Sequence, residues 1–179
     1  QGLLVTRHLA HYPDEQFCAR LYPELLKQYK SAWYVFGVIT DESGERLPGN
    51  RIPLAFIDEV APLPQKDYPF ISSGTDYAEY FDDIVGLEYD ENCTLEDVHI
   101  LVRKEIFERI MSNPLHPTQK ASTLYKCPNH KCIQIKVRKN KELIRRLLSY
   151  GSDIEVMAPE HLRRSMAREF RRCNRRYEK

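Results

Sequence analysis

The sequence predicts an α+β chain of two units, a small β-barrel followed by a ferredoxin-like α/β unit. Three observations carry this expectation. Residues 1–63 hold short apolar runs at close spacing, broken by turn residues, which is the pattern of a small barrel. From Asp97 onward the pattern changes to the order strand, helix, strand, strand, helix, strand, that of a split βαβ unit. The composition is ordinary for a globular chain, with 42% hydrophobic and 30% charged residues among 179, enough to bury a core without staples.

Taken in order, Gly2–Leu9 is apolar and extended, and a Pro13-Asp14 turn leads to a second strand at Phe17–Tyr22. Leu25–Tyr29 runs to a polar turn at Lys30-Ser31. Ala32–Thr40 is the strongest strand: Trp33, Val35, Gly37 and Ile39 face one way, Tyr34, Phe36 and Val38 the other, and both faces are apolar. Both faces must therefore be covered, one by the barrel interior and the other by a second unit, a ligand or another copy. Asp41–Asn50 is a polar loop, and Arg51–Val60 returns as a strand in which Pro53 marks an edge or a bulge. Ala61–Gln65 is a proline-bearing linker, and Thr75–Gly86 has helical spacing with Tyr77, Tyr80, Phe81 and Ile84 on one face. In the second unit, Val98–Val102 is a strand and Lys104–Met111 a helix with Ile106, Phe107 and Ile110 inward. Ser122–Lys126 and Cys132–Val137 form a hairpin with its tip at Pro128-Asn129. Asn140 caps a helix that ends near Gly151, Asp153–Met157 is a strand, and Pro159 opens a last helix to about Tyr177. The expected divisions are a barrel at 1–65, an acidic linker with a short helix at 66–96 and an α/β extension at 97–179.

A net charge of +1 gives no global pull toward nucleic acid or membrane. The distribution is uneven: ten acids and no Lys or Arg lie between Asp67 and Asp97, while Arg163, Arg164, Arg168, Arg171, Arg172, Arg175 and Arg176 crowd the end. A solvated linker and a wet helix face account for this, and so does a docking, nucleic-acid or dimer surface. Five scattered cysteines with no signal peptide point to free thiols in a reducing cytoplasm. No apolar run approaches a membrane span. The chain opens at Gln1 almost directly in a strand-like run, which reads as a piece of a longer protein.

Few motifs carry chemistry. Trp33 and Tyr34 face opposite sides of one strand, so either both are core or one fills the core and the other faces a pocket. Cys127, His130 and Cys132 offer three candidate metal ligands on a hairpin tip, but structural zinc needs a fourth and no second close pair stands out, so no metal is expected. His116, Thr118, Gln119 and Lys120 lie on a proline-stiffened loop that suits either a phosphate or base edge or the capping of its own backbone. No Gly-rich phosphate loop, nucleophile elbow or H-E-x-x-H is present, and His116 is the only seed for catalysis, so no enzyme is expected.

These segments, in order, resemble the WYL-domain transcriptional regulators of bacteria. Trp33-Tyr34-Val35 is similar to the family's Trp-Tyr-Leu signature, with Val for Leu, and Leu21–Tyr29 resembles the strand pair before it. Arg51, Leu54 and Ile57 match the strand that follows, where Ala55 and Phe56 stand in place of Asp and Arg. Tyr80–Gly86 resembles the lead into the family's C-terminal extension, Pro114–Gln119 its Pro-Leu-His-His-Ser-Gln loop, and Leu147–Arg163 its ending. The resemblance implies an Sm-like barrel and an α/β extension forming a cytoplasmic, ligand-sensing module without a cofactor. It implies a nucleotide or short single-stranded nucleic acid as ligand, DNA reached through an N-terminal helix-turn-helix head outside this chain, and a homodimer. Tyr22 and Tyr34 are expected to stack on or edge a base; Arg51, His116, Gln119 and Lys120 are expected to take phosphates or base edges. With Ala55 and Phe56 replacing the charged pair, phosphate binding there rests on Arg51 and nearby bases. The alternative expectation is a protein-interaction and dimerisation module with no small ligand.

Overall fold

The structure, a computed structural model, describes residues 1–9, 12–90 and 92–178. It is α+β, with two antiparallel sheets, and divides into two compact units, Gln1–Tyr77 and Ala78–Lys179. No helix among the described residues is long and apolar enough to cross a membrane.

The first unit is a five-stranded sheet built from β1 (Leu3–Leu9), β2 (Tyr12–Tyr29), β3 (Ala32–Thr40), β4 (Arg51–Pro53) and β5 (Ile57–Pro62). Its strand order is β4-β3-β2-β1-β5. The two strands expected at Phe17–Tyr22 and Leu25–Tyr29 are one continuous strand. Pro23 does not break it, because the register against β3 shifts between Pro23 and Leu25, and Glu24 is the extra residue of a bulge. Gly37 lies opposite Pro23, where a Cβ would collide with the Tyr22 carbonyl oxygen, so only glycine lets the strands approach this closely. The Lys30-Ser31 turn takes positive φ at both residues, the conformation of a two-residue hairpin. The strand expected over Arg51–Val60 is broken by a single 3-10 turn at Leu54–Phe56, after Pro53. As a result β4 pairs with β3 while β5 pairs with β1, at opposite edges of the sheet.

Both faces of β3 are covered from Val35 to Thr40, as their apolar side chains demand. Val35 and Ile39 pack with Val5, Ala19, Leu21 and Ile52 in the core of the first unit. On the other face lies the chain's own segment 63–77: Phe70 sits edge-on to Tyr22 and Tyr77 edge-on to Phe36. Glu24 fastens this strap. Its carboxylate accepts hydrogen bonds from the Ser72 hydroxyl at 2.8 Å, the Ser73 amide at 2.7 Å and the Tyr77 hydroxyl at 3.2 Å.

The helix expected over Thr75–Gly86 is a single turn, α1 (Tyr77–Tyr80). Its spacing is helical, but the chain peels away to make other bonds: the Asp83 carbonyl accepts from the Arg138 amide at 2.7 Å, and Gly86 takes φ 87°, which ends helical geometry.

The second unit carries β6 (Leu95–Arg103), α2 (Lys104–Ser112), β7 (Lys120–Cys127), β8 (His130–Arg138), α3 (Lys141–Leu148), β9 (Ile154–Ala158) and α4 (Glu160–Tyr177). Its sheet order is β7-β8-β6-β9. Ile100, Val102, Ile133, Ile135 and Val137 of the central strands meet Phe107 and Ile110 of α2, Leu143 and Leu147 of α3, and Leu162 and Met166 of α4. Val85 of the acidic stretch joins the same core. The apolar stripe expected along the last helix is only half used. Leu162 and Met166 are buried, whereas Phe170, Cys173 and Tyr177 are exposed, because α4 outruns the surface it packs on.

Candidate functional site

Residues expected to bind a ligand fall on two stretches of chain. Tyr22, Tyr34 and Arg51 belong to the first unit, and His116, Gln119 and Lys120 to the second.

On the first unit, cross-strand pairing puts Tyr22 opposite Val38, Tyr34 opposite Pro53 and Arg51 opposite Phe36, so all share the outer face of the sheet. Their surroundings differ. Tyr22 is buried under Phe70, packed rather than open. Tyr34 and Arg51 are only half-buried. Arg51 has no side-chain hydrogen bond or ion pair among the described residues. An aromatic ring and a guanidinium thus share an open strand edge. Trp33, on the opposite face, is also exposed, so the aromatic pair is not both core.

The loop from Pro114 to Lys120 is tied to its own backbone. The Gln119 Oε1 accepts from the Leu115 amide at 2.9 Å, and its Nε2 donates to the Ile110 carbonyl at 2.9 Å, which locks the loop to the end of α2. This is the capping role, and it leaves little of the Gln119 amide for a ligand. His116 is 4% exposed. Its Nδ1 lies 2.8 Å from the Thr118 hydroxyl, and its Nε2 is buried without a well-formed hydrogen bond. Burial pushes the imidazole below its ordinary pKa, against the opposing pull of the Asp83 and Asp82 carboxylates and the Asp82 carbonyl. Lys120 is exposed at the start of β7.

The hairpin tip brings two of its three sulfur and nitrogen groups together. Cys127 Sγ lies 3.3 Å from His130 Nδ1, while Cys132 is buried and turns its thiol to the Ile133 carbonyl. Among the described residues no group of three or more His, Cys, Asp or Glu side chains is placed to hold a metal ion.

Glu24 was missed by the sequence reading, since an acid in a strand gives no sign that three later residues will converge on it. Its only trace is the Pro23-Glu24 step, which signals a bulge. Burial raises its pKa, but the hydrogen bonds from Ser73, Ser72 and Tyr77 prevail and hold the carboxyl below its usual value.

Residues 94–173 match the family model of the WCX domain. Among solved structures, the chain is similar to proteasome accessory factor B/C (PafBC) of Arthrobacter aurescens, with 14% identity, a TM-score of 0.37 and coverage of 93% of this chain and 24% of that one. It is also similar to a CRISPR Cas-related protein, with 15% identity, a TM-score of 0.32 and coverage of 99% of this chain and 49% of that one. The chain therefore spans about a quarter of the first and about half of the second. No curated protein matches it.

Proposed function

We propose, from the match of residues 94–173 to the WCX domain model, that this chain is the ligand-sensing regulatory module of a WYL-type transcription regulator. In this reading it works in the cytoplasm, binds a nucleotide or a short single-stranded nucleic acid, and alters how an attached helix-turn-helix head meets DNA. It acts by binding, not by catalysis.

The observation that carries the ligand is the open edge of β3 and β4, where the half-exposed Tyr34 ring and the unpaired Arg51 guanidinium share one face. A ring of this kind stacks on a base, and a guanidinium takes a phosphate through two parallel hydrogen bonds. Tyr22 and Gln119 serve this face and the Pro114–Lys120 loop from within, as packing and as a backbone tie. On the second unit, Lys120 is the exposed cation of the proposed set and His116 its buried member. The order β4-β3-β2-β1-β5, with β4 and β5 adjacent in sequence yet at opposite edges, supports an Sm-like barrel. The order β7-β8-β6-β9 supports a ferredoxin-like unit.

The test is titration with a labelled single-stranded oligonucleotide and with a cyclic dinucleotide, each at about 50 and about 200 mM salt. Binding is expected to weaken at the higher salt, and Arg51→Ala to weaken it further by about tenfold or more. If neither probe binds, or if Arg51→Ala leaves affinity unchanged, this reading is wrong.

A homodimerisation module is the second reading, and the exposed end of α4 favours it, with Phe170 and Tyr177 set among arginines. Light scattering of the intact chain and of a Phe170→Asp, Tyr177→Asp variant separates the two. A dimer lost in that variant, together with no ligand at Arg51, selects the interaction module.

A further inference from the structure

We propose that the hollow beside the tip of the β7–β8 hairpin is a covalent capture site for a soft carbon electrophile, an α,β-unsaturated carbonyl compound, with Cys127 as the nucleophile and His130 as its base. This inference is independent of the reading of Tyr34 and Arg51.

The site is made by a mismatch in the hairpin. Ser122 lies opposite Cys132 and Cys127 opposite His130, so five steps along β7 are matched by only two along β8. The surplus residues of β7 arch away from its partner. Arches of this kind re-aim side chains and interrupt pairing. Beside this one is a hollow of about 420 Å³ walled by Phe107 and Tyr125, with Ser122, Thr123 and Lys126 as polar points and Cys127 and His130 on its lining. Cys127 and His130 are each half-buried, within reach of a small molecule.

The four other cysteines show what is particular about this pair. Cys18 and Cys173 are exposed, but neither has an imidazole within hydrogen-bond reach among the described residues. Cys93 faces Asp90 at 3.4 Å, and burial together with that carboxylate pushes its thiol up, toward the inert form. Cys132 is buried. Among the described residues, only Cys127 combines access with a base 3.3 Å from sulfur.

Addition fits what the pair can do without a further reagent. As sulfur attacks the β-carbon, the thiol proton passes to His130 Nδ1 and a C–S bond forms. The electrons of the C=C bond move to the α-carbon as an enolate, with the carbonyl oxygen turned toward the hydroxyls of Ser122 and Thr123 or the Lys126 ammonium. His130 then returns the proton to the α-carbon. The product is a thioether, and nothing is oxidised or reduced overall. The half-buried Tyr125 ring suits a flat conjugated chain, and Phe107 adds apolar wall. Lys131 is taken up by Glu108, at 3.1 Å, and by the Phe107 ring, at 4.3 Å, leaving Lys126 as the cation of the site.

The experiment exposes the intact chain to a limiting amount of a cyclic enone and follows each cysteine by peptide mass mapping, with iodoacetamide as a small reagent for comparison. Cys127 is expected to react first, about tenfold or more faster than Cys18 and Cys173. His130→Gln is expected to remove that lead while the melting curve stays intact. Ala121→Trp, placed on the exposed wall of the hollow, fills the space and leaves the pair in place. It is expected to slow the enone at Cys127 but not iodoacetamide. The proposal is overturned if Cys18 or Cys173 reacts first, or if folded His130→Gln keeps the lead. Should His130→Gln fail to fold, Ala121→Trp decides, and equal enone rates with and without it overturn the proposal.

Discussion

Asn140→Ala is expected to destabilise the second unit by far more than the loss of one helix cap. Asn140 is 6% exposed and precedes the first turn of α3. Its Oδ1 accepts from the Leu143 amide at 2.7 Å, while its Nδ2 donates to the Val85 carbonyl at 3.0 Å and to the Glu88 carbonyl at 2.8 Å. One side chain thus closes the start of a helix and also holds the segment that brings Val85 into the core. Losing the cap costs about 1 kcal/mol. Leaving a buried carbonyl without a donor adds about 1–3 kcal/mol, for a total of about 2–4 kcal/mol. Asn140→Asp separates the two contributions. It keeps the acceptor that caps the helix but points an oxygen at two carbonyls, so it is expected to be at least as destabilising as alanine. The assay is urea unfolding of the full chain by circular dichroism, with the slope checked for constancy, and amide exchange at Leu143 as a local probe. An aspartate variant within about 0.5 kcal/mol of the parent would refute the reasoning, since the amide donors would then contribute nothing beyond the cap.

Two further outcomes concern pH. Because Glu24 is held below its ordinary pKa, its carboxylate stabilises the first unit fully above 4.5, and that contribution is lost as the pH falls through the lower folded value. The unfolding midpoint of the parent is therefore expected to fall more steeply in acid than that of Glu24→Gln, and parallel curves would show that the strap bonds do not stabilise the carboxylate. Buried His116 is likewise lowered, so its neutral form stabilises the second unit above 6.5, and that stability drains as the pH falls below this value. Its imidazole should titrate by NMR below 6.5; a midpoint above that value would mean that the Asp82 and Asp83 carboxylates outweigh burial.

The elements most legible in the sequence were those whose cause is local. Asn140 caps α3 through its own first turn, and Lys30-Ser31 turns β2 into β3 because a two-residue loop fits the twist of both strands. Where sequence reading erred, a distant partner had overridden the local pattern. The 75–86 segment has helical spacing but yields a single turn, because Asp83 pairs with Arg138. Pro23 falls in the gap between two expected strands, and Pro53 is expected to mark an edge or a bulge within one. The first is absorbed in a bulge because Gly37 lies opposite, and the second accompanies a real change of strand partner. Of the ligand residues that the resemblance implies, Tyr22 lies beneath Phe70 and Gln119 bonds to Leu115 and Ile110, neighbours that the sequence does not name.

By itself the sequence determined the α+β class, the two-sided apolar character of β3 and the turns and caps set within a few residues, because period and local hydrogen bonding act over the length of one element. The tertiary structure alone decided that the chain's own 63–77 segment covers β3, that Glu24 fastens it, that Tyr34 and Arg51 stay open while Tyr22 does not, and that Cys127 meets His130 beside a hollow. These features come from contacts and registers between separate elements, and the identity of a residue does not encode which neighbour will reach it.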